Sequence, residues 1–275
     1  DDASAVELAQ VFEEENRNRR LIDEDTFIKA QELVETLLDV DVDPAIVLHH
    51  EDWHPGVIGI VASRLVEKYY RPTIMMTTID GVARGSARSV VGFDIHEALK
   101  RVEDKLIQFG GHKYAAGLAV ELDRVDEFRK AFNVVVNELM TSDVKTPELK
   151  IDSEIALKEL TPRFLRILKE FAPYGPGNMR PIFLARKVEV VGTARIVGKD
   201  HLRFKVRQDG HVLDTIGFGL GSMLEDVRGN GRTLDLVFSV DEHEWLSPGP
   251  RANQGGAGVF PQLKLKDLRQ HREEN

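Results

Sequence analysis

Residues 141–148, TSDVKTPE, are a polar, proline-containing break between two segments whose apolar residues recur with different periods. Upstream, from Ala45, strand-length apolar runs alternate with helix-length amphipathic ones. In order these are AIVLHH, a helix from about Val57 to Tyr70, TIMMTTI, a strand running into GSARS, a helix over 94–107, AAGLAVEL, and a helix over about 125–140. Strands interleaved with helices bury their apolar faces by layering, so this segment reads as a layered α/β domain.

Downstream of the break, one helix at about 157–171 precedes short strands at roughly 182–191, 201–207, 211–218, 233–240 and 259–266. Five strands with one helix suit a small all-β barrel of the oligonucleotide-binding (OB) type. PGPRANQGGAG at 248–258 reads as a flexible loop before the last strand. At the other end, residues 3–39 carry apolar residues at helical spacing with no proline before Pro44, and DVDP at 41–44 ends that helix, because a proline forces the residue before it into extended conformations. The expected organisation is a long helix in 1–43, the α/β domain in 44–145 and the barrel in 146–275.

The apolar fraction of 42% and charged fraction of 30% are those of a globular chain, with no apolar run near the ~18 residues a membrane span needs. No cysteine is present, which excludes disulfides and thiolate chemistry and agrees with a cytoplasmic setting. The first residue is Asp1 and not Met, so the chain is expected to be a fragment or a processed product. The net charge of −9 argues against a polyanion ligand only until its distribution is considered. Residues 1–52 hold sixteen Asp or Glu against four Lys or Arg, whereas 180–207 hold eight Lys or Arg against Glu189 and Asp200. Such segregation leaves a local positive field in the second half.

Two segments have the chemistry of anion binding. In RGSARS at 84–89, Arg84 and Arg88 offer forked guanidinium donors and Ser86 and Ser89 offer hydroxyls. In FGGHKYAAG at 109–117, Gly110 and Gly111 let a ligand approach the backbone and His112 follows at once. A third feature is WHPG at 53–56, just before a helix whose free N–H groups could meet an anion, with Trp53 equally readable as a packing anchor. Arg64 on that helix reads as a surface or ion-pair residue. His49 and His50 follow Leu48 at a strand end and read as packing or solvent-facing residues; no aspartate-rich metal set is seen. In the second half, Arg195, Lys199, His201, Arg203, Lys205 and Arg207 form a basic region, and the alternation of 203, 205 and 207 puts them on one strand face. Phe204 and Phe218 are candidate stacking rings, with barrel core as the default for both. PYGPGNM at 173–179 lacks the lysine and following helix of a P-loop and reads as a rigid turn.

The segments WHPGVIGIVASRLVEKYYRPTI (53–74), GSARSVVGFDIHEAL (85–99), FGGHKYAAG (109–117), PYGPGNMRPIF (173–183) and HLRFKVRQDGHVLDTIGF (201–218) together resemble, in order and over nearly the whole chain, the RecJ single-strand-specific DNA exonucleases of the DHH phosphoesterase superfamily. The resemblance implies an interdomain connecting helix, a DHH-associated domain and an OB domain from the C-terminal part of such an enzyme, without its catalytic Asp-His-His domain. It implies a 5′-to-3′ exonuclease of DNA repair and recombination, inactive in this piece, in a bacterial cytoplasm. Mn2+ or Mg2+ would be bound by ligands outside this chain. Ser86 and Arg88, with Arg19 of the connecting helix, would hold the 5′-phosphate of single-stranded DNA, although acidic neighbours leave Arg19 open to a salt-bridge reading. Gly110, Gly111 and His112 would approach the scissile phosphate, and Arg195, Lys199, Arg203, Lys205 and Arg207 would retain the strand. Helicase and single-strand-binding protein are the implied protein partners, with no membrane. The alternative is a non-catalytic nucleic-acid-binding module that kept the associated domain and lost the hydrolase. Small-substrate phosphodiesterases and the associated domain of alanyl-tRNA synthetases are similar over the first half only.

Overall fold

A computed structural model of the chain describes residues 2–39, 42–141, 144, 146–229, 231–244 and 259–272. The loop expected at 248–258 lies outside them. The chain divides into two compact units, Asp1–Glu148 and Leu149–Asn275.

The first unit opens with α1 (Asp2–Leu37), whose described residues before Asp23 are exposed, Val6, Leu8, Val11 and Phe12 included. Its last third is anchored differently. Asp23 and Glu24 flank the Arg64 guanidinium at 3.3 and 2.9 Å, the Phe27 ring lies 3.7 Å beneath it, and Ala30 and Val34 enter a core with Ile46, Val61, Leu65 and Met75. Arg64 is therefore an ion-pair residue that fastens α1 to α2 (Ile58–Tyr69).

Strands β1 (Ile46–His49), β2 (Thr73–Ile79), β3 (Val82–Arg88), β4 (Gln108–His112) and β5 (Ala115–Glu121) form one sheet in the order β1-β2-β3-β5-β4, parallel only between β1 and β2. Helices α3 (Ile95–Lys100) and α4 (Val125–Leu139) cover one face, where Ile95, Leu99, Phe128, Phe132 and Val136 pack on Val47, Ile74, Met76, Ala83, Ala87, Leu118 and Val120. Alternation along β3 sends Ala83 and Ala87 into that core and Arg84, Ser86 and Arg88 to the opposite face. The β1–β2 part of that opposite face lies under α2.

The helix expected over 94–107 is shorter. Asp94 caps it by accepting the Glu97 N–H at 3.0 Å, but after Lys100 the chain turns, because Ile107 donates to the Ala119 carbonyl at 2.8 Å and draws the segment into β4. A turn at Glu103–Lys105 is pinned to α4, where Glu127 receives Arg124 at 3.1 Å and Lys105 at 2.8 Å. These two cations hold the Glu127 carboxyl down at about 2.

The second unit is a closed barrel. Strands β7 (Phe183–Val197), β8 (His201–Gln208), β9 (His211–Gly217), β10 (Thr233–Glu244) and β11 (Val259–Gln270) run in the order β7-β8-β9-β11-β10, and β10 pairs back with β7. The short β6 (Ser153–Glu154) adds parallel to the start of β7. Closure leaves the five barrel strands no free edge. Phe183, Val190, Leu202, Phe204, Val206, Leu236, Phe238 and Leu263 fill the interior. The single helix expected over 157–171 is a short turn at Leu157–Glu159 followed by α5 (Pro162–Glu170). Thr161 accepts the Phe164 N–H and Pro162 takes the first helical position, a start signal that divides the segment.

The barrel seam depends on Asp235, which is 2% exposed. Across the β7–β10 pair, Arg186 and Lys187 together oppose this one residue, and Lys187 takes a left-handed φ of 54°. Asp235 accepts the Lys187 amide at 3.1 Å, His271 at 2.7 Å and Arg269 at 3.1 Å. Burial pushes its carboxyl upward, but these hydrogen bonds hold it below the ordinary aspartate value.

Candidate nucleic-acid interface

Strand register brings RGSARS and FGGHKYAAG onto one surface. Residues directly opposite in a sheet share a face, and three cross-strand rows run Arg88–Ala115–His112, Ser86–Gly117–Gly110 and Arg84–Ala119–Gln108. All three lie on the face opposite α3 and α4. Arg88 and His112 stand at the two ends of their row, about 10 Å apart at two inter-strand spacings.

At the β3 side, the first turn of α2 and the Ser86–Arg88 pair enclose a slot. Arg88 Nη1 donates to Ser86 Oγ and to the Ala87 carbonyl, both at 2.8 Å, and among the described residues no carboxylate pairs with it. Burial pushes the guanidinium below its ordinary value. A half-buried cation with no counter-charge is a cost to the fold and a ready site for an anion. Ile58, Gly59 and Ile60 of the first turn of α2 line the slot, no side chain caps the helix at Val57 and that turn has no acidic residue, so the positive end of the helix borders the slot.

Gly59 makes this geometry possible. A Cβ there would lie 2.8 Å from Arg88 Nη2 and 3.0 Å from Ser86 Oγ. Gly59 belongs to no binding motif and stands isolated in a helical pattern. Its signal was its cost, since a glycine in a helix needs a packing or ligand reason.

The other expected residues separate. Gly110 faces the open surface, where an added Cβ would meet nothing within 4 Å, whereas at Gly111 it would lie 2.4 Å from the Ala115 carbonyl oxygen and 2.5 Å from Ala116 Cα. Gly111 thus has a reason in the β4–β5 pairing itself. His112 is exposed at the end of β4. Ser89 donates its hydroxyl to the Phe93 carbonyl at 3.0 Å, which commits it to a turn. Arg19 is not among the residues lining the slot; it sits on the exposed part of α1 and donates to Asn16 Oδ1 at 2.9 Å. Trp53 is buried, in stacking contact with His50 at 5.6 Å, and serves as a packing anchor. His49 bonds Thr78 Oγ1 at 2.9 Å, and its burial lowers the imidazole pKa. Among the described residues no three His, Asp or Glu are grouped so as to hold a metal ion, so the donors present here do not fit a resident metal.

On the barrel, Arg195, Arg203 and Lys205 line a groove with Gly192, Thr193 and Asp214. Arg195 and Arg203 are directly opposite across β7–β8, a like-charge pairing that works against the sheet. Asp214 lies 3.7 Å from Arg203. Arg207 shares the strand face but is held by Glu189 at 2.7 Å and does not line the groove. Lys199 is exposed in the β8-proximal turn. The two candidate rings part company: Phe204 is barrel core, 2% exposed, while Phe218 is 56% exposed, edge-on to His201 at 5.1 Å.

Comparison with known proteins gives two family matches, a DHHA1 domain over residues 42–138 and a RecJ OB domain over 151–247. The single-stranded-DNA-specific exonuclease RecJ of Bacillus subtilis is 31% identical over 97% of this chain and 33% of its own length. The protein of the same name from Dickeya dadantii is 33% identical over 86% of this chain and 42% of its own. The chain thus spans a third to about two fifths of the length of these relatives. The crystal structure of Thermus thermophilus RecJ in complex with Mn2+ superposes over 94% of this chain and 35% of that one, at 26% identity and a TM-score of 0.73. A DHHA1 domain followed by an OB barrel, with matching relatives along nearly all of the chain, shows that the protein belongs to the RecJ family.

Proposed function

We propose that this chain is the DNA-holding part of a RecJ-type 5′-to-3′ single-stranded DNA exonuclease, and that the slot between α2 and the Ser86–Arg88 pair receives the 5′-terminal phosphate of the strand. The observation that carries this reading is Arg88, a half-buried guanidinium without a carboxylate partner among the described residues, set beside an uncapped helix N-terminus. A terminal phosphate would satisfy both, accepting charge-assisted hydrogen bonds from Arg88 and Ser86. His112, in the same row as Arg88, would meet phosphate farther along the sheet face. The Arg195–Arg203–Lys205 groove would grip the strand by its backbone, and the exposed Phe218 offers a stacking surface for a base. Mn2+ or Mg2+, the ions named with the Thermus RecJ structures, would be held outside this chain. The longer protein would act in DNA repair and recombination in the cytoplasm, and these residues alone would bind without cutting.

The test is fluorescence-anisotropy binding of short single-stranded DNA carrying a 5′-phosphate or a 5′-hydroxyl, across a salt series. Binding that prefers the phosphate, and loses the preference in Arg88→Ala, is the expected result. Equal binding of both ends by the unsubstituted chain would overturn the slot assignment and leave the barrel as the sole grip.

A further inference from the structure

We propose that Arg84 binds an internal phosphodiester of the same strand, making a second backbone contact next to the end slot; this rests on the slot reading above. Arg84 lies on the open sheet face, two residues from Ser86 and four from Arg88, which places its Cα about 13 Å along β3 from that of Arg88. It borders two depressions. One is the slot it shares with Ser86 and Arg88; the other is a groove formed with Gln108, Gly110 and Gly117, which neither Ser86 nor Arg88 lines. Arg88 is folded onto Ser86, so an anion in the second groove meets Arg84 as its cation. Among the described residues no carboxylate pairs with Arg84, and the residues beside it in its row are Ala119 and Gln108.

The groove's chemistry selects a sugar–phosphate backbone and not a base. Its floor carries no side chain at Gly110 or Gly117, and an added Cβ at Gly117 would meet only the Gly85 carbonyl oxygen, at 3.9 Å. Phe109 borders it but packs toward the core of the other face and toward His96, at 5.5 Å, so it offers no ring to a base. A strand that leaves its terminal phosphate in the slot and passes Arg84 would therefore be held without regard to sequence.

The test couples Arg84 to individual linkages. Single-stranded DNA with a 5′-phosphate is prepared with an uncharged methylphosphonate at the first, second or third internucleotide linkage, and its binding is measured by anisotropy to the unsubstituted chain and to Arg84→Gln. Neutralising one of these linkages should weaken binding to the unsubstituted chain about 10–100-fold, the range of a charge-assisted hydrogen bond. Arg84→Gln should weaken binding of all-phosphate DNA by a similar factor, show no further loss at that linkage, and lower the salt slope by about 0.7. Its thermal midpoint should match that of the unsubstituted chain, since Arg84 is exposed. Additive losses at all three linkages, or unchanged binding of all-phosphate DNA by Arg84→Gln, would overturn the assignment. Failure of the slot reading is separately visible, as a missing preference for 5′-phosphate over 5′-hydroxyl in the unsubstituted chain; the linkage coupling is read independently of that preference.

Discussion

Replacing Gly59 by alanine separates the fold's needs from the ligand's. The new methyl carbon would begin 2.8 Å from Arg88 Nη2 and 3.0 Å from Ser86 Oγ, against about 3.5 Å for an unstrained carbon contact. The guanidinium must retreat by roughly 0.7 Å, and because it is the far end of a flexible side chain the protein yields at little cost. Alanine in place of glycine within a helix contributes up to about 0.5–1 kcal/mol of its own, so Gly59→Ala should be as stable as the parent or slightly more so. Binding should move the other way. Displacing Arg88 from its alignment with Ser86 removes about one charge-assisted hydrogen bond to phosphate, roughly 1.5–3 kcal/mol, or about a 10–100-fold loss for 5′-phosphorylated DNA. DNA ending in a 5′-hydroxyl should bind nearly unchanged. Thermal denaturation and anisotropy on the same preparation check both halves, and the double variant Gly59→Ala/Arg88→Ala should bind no more weakly than Arg88→Ala alone. A Gly59→Ala chain that keeps its full preference for the 5′-phosphate would refute the claim that this close approach positions Arg88.

Two predictions concern stability. Asp235→Asn should destabilise the barrel by roughly 2–3 kcal/mol in urea denaturation, because a buried hub for Lys187, Arg269 and His271 loses its charge. The folded carboxyl lies below its unfolded value, so its contribution is fully present above about pH 4 and lost as pH falls through the depressed folded value; the gap between parent and variant should close in acid, and a gap independent of pH would count against the charge. Gly111→Ala should cost about 1–3 kcal/mol by forcing β4 from β5, while Gly110→Ala should be neutral or mildly stabilising, and equal losses from the two would contradict the register described above.

What could be read from the sequence was periodicity and chemical type. The alternation of strands and helices before residue 141, and of strands after 182, sufficed for the α/β and barrel classes because both periods follow from which faces must be buried. RGSARS stood out because it sets forked guanidinium donors beside hydroxyls, although its Ser89 is committed to a turn. Distances in the folded sheet were not legible. Whether 94–107 stayed helical depended on the Ile107 bond to Ala119, a partner twelve residues away. The basic count over 180–207 did not show that Arg180 lies 3.8 Å from Asp241, that Arg186 pairs with Glu154 at 3.0 Å, or that Arg207 pairs with Glu189. Those cations serve the barrel, and the groove itself presents the smaller set of Arg195, Arg203 and Lys205, with Asp214 3.7 Å from Arg203. Barrel core is the default for Phe204 and Phe218 on residue type alone, yet Phe204 faces inward on β8 whereas Phe218 sits in the turn after β9 and is exposed.

The glycines show why motif and role diverge. Four of them, Gly59, Gly110, Gly111 and Gly117, bear on the proposed interface, and residue type alone does not tell what each makes room for. Building a Cβ on each separates them by what it strikes: at Gly111 the chain's own backbone, at Gly59 the two side chains of the slot, and at Gly110 nothing. A glycine that packing requires says little about ligands. At Gly110 and Gly117 packing requires none, although each lies in a strand that a larger residue would favour. The fold therefore carries a destabilising choice at two directly opposed positions, on the face that also holds Arg84, Ser86, Arg88 and His112. On the proposed reading that coincidence suits a polymer lying across the sheet, because a small anion would need the arginines but not the cleared floor between them.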